Sequence, residues 1–88
     1  MSAAEFIEYL SRARYTAYKA TDGKSYSVFS HRLFLGAFQQ DKDNIVFWFN
    51  DDCILPARDF MLDSLDTFGM RIRYPYTHIF VIKGFKHV

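Results

Sequence analysis

The chain has 88 residues, of which 50% are hydrophobic and 19% aromatic, and its formal net charge is +1. This length fits one compact domain over residues 1–88 and excludes a two-domain enzyme with a cleft between its domains. The apolar fraction excludes an intrinsically disordered chain, and the nearly balanced charge differs from the uniform basicity typical of a nucleic-acid-binding protein.

The N-terminal residues and the single cysteine indicate a cytoplasmic protein. Glu5 and Glu8 interrupt the apolar segment that a secretory signal requires, and the sequence has no run of about 18 apolar residues that would cross a membrane. Cys53 is the only cysteine, which excludes an intramolecular disulfide and a zinc site made of thiolates. We therefore expect a cytoplasmic protein without a membrane partner, whose core is stabilised by packing alone.

The first residues predict a short helix that packs along one side. Ser2 followed by Glu5 is the pattern of a capping box, in which each side chain accepts a hydrogen bond from a backbone N–H of the other. Apolar residues then recur at three- and four-residue spacing, which places them on one helical face: Ala3, Phe6, Ile7, Leu10 and Ala13.

Two alternating segments, 14–21 and 24–31, predict a β-hairpin. Asp22-Gly23 lies between them, and this dipeptide favours a type I′ turn, which needs positive φ at both of its central residues. The alternation continues to His31, which we place within the second strand.

A second hairpin is predicted between residues 32–38 and 45–50, with polar residues forming the turn between them. Gly36 marks a bulge or a bend in the first of these strands. The other strand begins with consecutive apolar residues, which is typical of a central strand covered on both faces. Its alternation directs Phe47 toward the core and Trp48 toward the opposite face.

Pro56 and Gly69 mark the start and the end of a second helix. Its predicted apolar stripe consists of Ala57, Phe60, Met61, Leu65 and Phe68. Strands follow at 70–74 and 77–83, and Pro75 interrupts the pattern between them. The sequence therefore predicts an α+β domain with two helices on a mostly antiparallel sheet of four to five strands, in the order α-β-β-β-α-β.

No residue pattern predicts an enzyme. A thiolate–imidazole pair would need Cys53 and one of the three histidines, which are His31, His78 and His87. Nothing in the sequence brings these residues together, and the acidic neighbours of Cys53 oppose formation of a thiolate. We interpret Cys53 as a structural residue, and His31 and His78 as strand residues that make ordinary hydrogen bonds.

Metal and phosphate sites are likewise not predicted. Asp51 and Asp52 are ligand types that Mg²⁺ accepts, but we interpret them as a solvated loop that favours the N-terminus of the next helix through its dipole. The glycines are scattered and form no phosphate-binding loop. We therefore expect no catalytic residue, no metal and no cofactor.

The balanced net charge hides a strong segregation of charge along the chain. Residues 40–66 carry seven aspartates against two basic residues, a net charge of −5, whereas residues 1–39 carry +2 and residues 67–88 carry +4. Within the second helix, aspartates at i, i+4 and i+7 project from one side, where like charges repel mildly: Asp59, Asp63 and Asp66.

Our first functional hypothesis is a protein-binding module that presents this acidic helix face. An acidic face fits a basic groove on a larger protein, where charge complementarity steers association and fixes the register. The predicted contact residues are Asp51, Asp52, Asp59, Asp63, Asp66 and Trp48. Small size, one domain and no catalytic motif are typical of inhibitors or adaptors from phages and mobile elements, such as anti-defence inhibitors of nucleic-acid-processing complexes.

Two alternatives remain open on the sequence alone. The first is a small domain that binds single-stranded nucleic acid through interleaved cations and rings, namely Arg71, Arg73, Tyr74, Tyr76 and Lys83. The second is a subunit that self-associates, for example as a homodimer, through an uncovered sheet edge or an aromatic patch.

Overall fold

The computed structural model describes residues 1–53 and 55–86. In this part of the chain the elements are α1 (Ala3–Arg12), β1 (Thr16–Lys19), β2 (Ser25–Ser30), β3 (Leu33–Asp41), β4 (Asn44–Phe49), a 3₁₀ turn (Asp51–Cys53), α2 (Leu55–Thr67), β5 (Met70–Tyr76) and β6 (Ile79–Phe85). The strands form one antiparallel sheet in the order β1-β2-β3-β4-β6-β5.

The predicted α+β class is confirmed, but the sheet is larger than expected. The described residues contain six strands, in the chain order α-β-β-β-β-α-β-β, where four to five strands were predicted. In addition, Pro75 does not end β5, which continues to Tyr76. It lies where the pairing between β5 and β6 is irregular, on a strand at the edge of the sheet, where a missing N–H breaks no ladder.

The capping box of α1 is confirmed. Ser2 Oγ accepts a hydrogen bond from the Glu5 backbone N–H at 3.1 Å, and the Glu5 carboxylate accepts one from the Ser2 backbone N–H at 3.2 Å. The Ala3 N–H also donates to Gln40 Oε1 at 2.8 Å. These bonds satisfy the first turn of α1 and fix it beside the end of β3.

The turn of the first hairpin differs from the predicted type I′ turn. Only Gly23 has positive φ, at 74°, among the residues of this turn. Its N–H donates to the Ala20 carbonyl at 3.0 Å. The Asp22 carboxylate accepts hydrogen bonds from the backbone N–H groups of Lys24 and Ser25, at 2.8 and 2.9 Å. The chain therefore makes a longer loop, because the Asp22 side chain takes the place of a backbone turn partner.

The placement of two histidines within strands is wrong. His31 has φ of 57° and lies in the turn between β2 and β3, and His78 lies in the turn between β5 and β6. In each turn, the histidine continues the polar–apolar alternation of the neighbouring strand by one position. The alternation therefore does not show where the strand ends. His87 lies outside the described residues.

Gly36 lies at a β-bulge, as the sequence indicated. Gly36 pairs with Val28 and Phe34 pairs with Phe29, so Leu35 is the extra residue. Leu35 is 1% exposed in the core. A Cβ atom added to Gly36 would lie 2.0 Å from the backbone oxygen of Trp48, so only glycine permits the close approach of β3 and β4 here.

Both helices pack on one face of the sheet. The core joins Phe6 and Leu10 of α1 and Met61 and Leu65 of α2 to the inward side chains of the strands. Four phenylalanines form its centre, and their ring centroids are 4.8 Å apart for Phe6–Phe38, 6.5 Å for Phe38–Phe47 and 4.9 Å for Phe47–Phe80.

The expectation that β4 is covered on both faces is wrong. Trp48 points away from the helices and is 38% exposed. We call this uncovered side of the sheet the open face. The strand register places its aromatic and apolar side chains there: Tyr18, Phe29, Phe34, Val46, Trp48, Tyr76, Ile79 and Val81.

We expect Gly36→Ala to lower the free energy of unfolding by about 2–3 kcal/mol, because the new methyl group displaces the backbone of β4. Urea denaturation measures this loss. Gly23→Ala is the matched control, since a Cβ there meets no atom within 4 Å and only its positive φ causes strain, of about 1 kcal/mol. Equal losses in both variants would contradict the packing explanation.

We expect the stabilisation from Asp22 to depend on pH. Backbone hydrogen bonds from Ser25 and Lys24 lower the pKa of the Asp22 carboxyl. A lowered pKa means that the ionised group stabilises the fold above its ordinary pKa, about 4, and that this stabilisation is lost as the pH falls through the folded-state pKa. The difference in Tm between the wild type and Asp22→Ala should therefore be largest near neutral pH and shrink below about pH 4. A constant difference would contradict this.

Candidate binding surfaces

The acidic stripe, which we define as Asp59, Asp63 and Asp66, lies on the exposed side of α2. Asp59 forms an ion pair with Arg58 at 3.0 Å, and Asp66 forms one with Lys86. Within the described residues, the Asp63 carboxylate has no ion pair. Local cations therefore pair with both ends of the stripe, whereas the carboxylate in its middle has no such pair within the described residues.

Phe60 does not lie in the core, contrary to the predicted apolar stripe of α2. It is 71% exposed, and Leu62 takes a buried position instead. The buried side of α2 follows Met61, Leu62 and Leu65, and Phe60 lies about 100° around the helix from Met61. The buried side of α2 is therefore rotated around the helix axis relative to the predicted apolar stripe. This rotation leaves the ring of Phe60 in solvent beside the acidic stripe.

An apolar groove of about 280 Å³ lies next to Phe60. Phe60 and Leu33 are exposed at its sides, and Tyr15 and Leu35 are buried. Burial raises the pKa of the Tyr15 hydroxyl, so this group is neutral at physiological pH. We refer to this feature as the apolar groove; its other lining residues are Ser30, Pro56 and Ala57, so none of the described lining residues is charged.

A second, polar groove of about 340 Å³ lies on the other flank of α2. It is lined by Arg58, Asp59, Leu62, Asp63 and Tyr74. Arg58 donates both to Asp59 and, at 3.4 Å, to the Thr77 carbonyl, which ties α2 to the turn after β5. Because Tyr74 lines this groove together with residues of α2, it lies on the helix side of the sheet.

The predicted protein-contact residues divide between two surfaces. The acidic stripe lies on α2, and Asp51 and Asp52 are exposed in the 3₁₀ turn just before it. Trp48 lies on the open face, on the opposite side of the sheet from α2. One partner surface docked on α2 therefore does not contact Trp48 at the same time.

The predicted nucleic-acid-contact residues are divided as well. Arg73 pairs with Val81 and Tyr76 pairs with Ile79, which places both on the open face with Trp48. Arg71 pairs with Gly84 at the other end of the β5–β6 pair from Tyr76, and its guanidinium donates to the Lys83 carbonyl at 3.2 Å. Tyr74 is separated from them because it faces α2. Sequence reasoning missed that Trp48 belongs with this group, although its alternation with Phe47 carried the signal.

Cys53 is buried, and its thiol forms a hydrogen bond with the backbone. It is 8% exposed, and its Sγ donates to the Phe34 carbonyl at 3.2 Å. In residues 1–53 and 55–86, no group of three or more histidine, cysteine, aspartate or glutamate side chains is arranged to hold a metal ion. The same residues include no helix with the length and apolar character needed to span a membrane.

We expect the Cys53 thiol to resist alkylation in the native protein, because its burial and its hydrogen bond to Phe34 restrict access. Mass spectrometry after treatment with iodoacetamide should show slow modification in buffer and rapid modification in urea. Alkylation at the rate of a free thiol in both conditions would contradict the buried placement.

No known protein family, curated protein or solved structure matches this chain. Functional residues therefore cannot be transferred from a relative. The two surfaces that the fold presents, the outer side of α2 and the open face, are the basis for assigning a role.

Proposed function

We propose that the protein is a non-catalytic binding module that docks the outer side of α2 on a larger protein. One observation carries this proposal: the acidic stripe and the exposed ring of Phe60 lie on α2, next to the apolar groove that α2 forms with β2 and β3. Protein interfaces combine an aromatic anchor and an apolar centre with a polar rim in this way.

The chemistry of this surface describes the partner. An apolar side chain of the partner fits the groove between Phe60 and Leu33, which has a volume of about 280 Å³. Lysine or arginine residues beside that side chain meet the carboxylate of Asp63 and compete with Arg58 for Asp59. Asp51 and Asp52 extend the acidic surface from the turn before α2.

Basic grooves with apolar side chains are common on proteins that process nucleic acids, because lysine and arginine contact phosphate groups. A module that occupies such a groove acts as an inhibitor or an adaptor of the larger protein. This role corresponds to that of small phage or mobile-element regulators, and a reducing cytoplasm suits the free thiol of Cys53. Identification of the partner tests this assignment directly.

The experiment is affinity capture from an extract of the source organism, followed by a binding measurement with the captured protein. The charge-reversal variant is Asp59→Lys/Asp63→Lys, and its matched control is Asp41→Lys/Asp43→Lys, which makes the same charge change at exposed aspartates near the β3–β4 turn. We expect the control to bind as the wild type does and the α2 variant to lose the partner. Surface substitutions of this kind change stability by about 0.5 kcal/mol or less each, so both variants should fold.

Phe60→Ala tests the aromatic anchor separately from the charges. Because removal of a central anchor costs about 2 kcal/mol or more, we expect roughly thirtyfold weaker binding of the captured partner. A partner that binds all of these variants with wild-type affinity would show that α2 is not the working surface.

A further inference from the structure

We propose that the open face binds single-stranded nucleic acid, with bases stacked on Trp48 and Tyr76 and phosphates held by Arg71, Arg73 and Lys83. This site lies on the opposite side of the sheet from the apolar groove. It is independent of the function proposed for α2, because none of its residues lines that surface.

The strand register aligns the two rings across the sheet. Trp48 of β4 is directly opposite Ile79 of β6, and Ile79 is directly opposite Tyr76 of β5. Since neighbouring strands are about 4.8 Å apart, the backbones that carry the two rings are about 10 Å apart. Trp48 is 38% exposed and Tyr76 is 64% exposed, so each ring has surface available to a separate base.

The nearest cation, Arg73, lies one row from the rings, and Arg71 and Lys83 lie about one row further along β5 and β6. Val46, Val81 and Arg73 form the neighbouring row on the same face. Along β4 and β6, this row is two residues from the ring row, a distance of about 7 Å. Bases on the rings and their phosphates on the cations can therefore be contacted together, over an apolar floor made by Ile79 and Val81.

These cations are not neutralised by the protein. Within the described residues, Arg71, Arg73 and Lys83 form no ion pair with a carboxylate, whereas Arg58 and Lys86 on the helix side each do. The hydrogen bond from Arg71 to the Lys83 carbonyl orients the guanidinium without removing its charge. Three neighbouring cations without a carboxylate partner, on the same face as exposed rings, are complementary to a polyanion that also carries flat aromatic groups.

A single strand fits this face better than a duplex or a second copy of the chain. In a duplex the base faces are stacked on one another and cannot reach Trp48 or Tyr76, whereas the bases of a single strand can. A second copy would bring its own open face, on which the described strand residues provide only Asp41 as a carboxylate. One carboxylate does not compensate three cations.

The only tryptophan of the chain provides a direct signal, because Trp48 lies within the proposed site. Oligonucleotides of about 12 nucleotides, oligo-dT and oligo-rU, are titrated at low salt while intrinsic fluorescence and the anisotropy of a labelled strand are recorded. We expect quenching of the Trp48 emission by the stacked base. Three phosphate contacts on a single strand predict that log K falls with log salt with a slope of about −2.

Variants separate charge from stacking. Arg73→Ala/Lys83→Ala should reduce that slope to about −0.7 and weaken binding at low salt, because one of three phosphate contacts remains. The matched control, Lys24→Ala/Arg32→Ala, removes two exposed cations from other parts of the chain and should leave the slope unchanged. Trp48→Ala should weaken binding about tenfold by anisotropy, and Trp48→Phe, which keeps a ring, should weaken it less.

Several results would overturn the proposal. One is the absence of an anisotropy change up to about 100 µM protein at low salt. The others are equal affinity for a duplex and a single strand, and an equal loss of affinity in the charge variant and its control. A fluorescence change that follows protein concentration without oligonucleotide, with a dimer in sedimentation, would assign the open face to a second copy instead. None of these results bears on the capture experiment for α2, so the two proposals fail separately.

Discussion

In the part of the chain that the structure describes, two short helices have to cover a sheet of six strands. α1 has 10 residues and α2 has 13, which at about 1.5 Å per residue gives lengths of roughly 15 and 20 Å. The six strands extend roughly 24 Å from edge to edge at about 4.8 Å per spacing. The helices therefore bury one face of the sheet, and the other face, although rich in apolar and aromatic residues, stays in contact with solvent.

Most of the aromatic residues are sorted by chemistry, although Phe60 is exposed on α2 and Tyr15 is buried. The rings at the centre of the core are phenylalanines, which have no polar atom that would need a partner, as Phe38 and Phe47 illustrate. The more exposed rings include Trp48, Tyr74 and Tyr76, whose N–H and O–H groups can form hydrogen bonds with solvent. A small chain with a single cysteine thus relies on the packing of its core, in which phenylalanine rings are central, and leaves most of its amphipathic rings in contact with solvent.

Local signals in the sequence predicted the start of α1 and the end of α2, but not the type of the first hairpin turn. The capping box of Ser2 and Glu5 and the helix end at Gly69 appear as expected, because each depends on residues within one turn. The position of Phe60 and the cover of β4 on one face only were not predictable in the same way. Each depends on which side of an element meets the rest of the protein, and a strand that is apolar on both faces does not reveal that only one face is covered. The aspartates of the candidate α2 surface follow from helical spacing, but their separation from Trp48 follows only from the sheet.

The edges of the sheet limit how the molecule meets copies of itself. β1, at one edge, has only four residues. At the other edge, β5 contains Pro75, which has no N–H to donate, and it carries Arg71 and Arg73. Short edge strands, proline and edge charges all oppose the addition of a further strand from a neighbouring chain. Both edges of the sheet are therefore poor templates for a further strand, which disfavours aggregation by open-ended growth of the sheet.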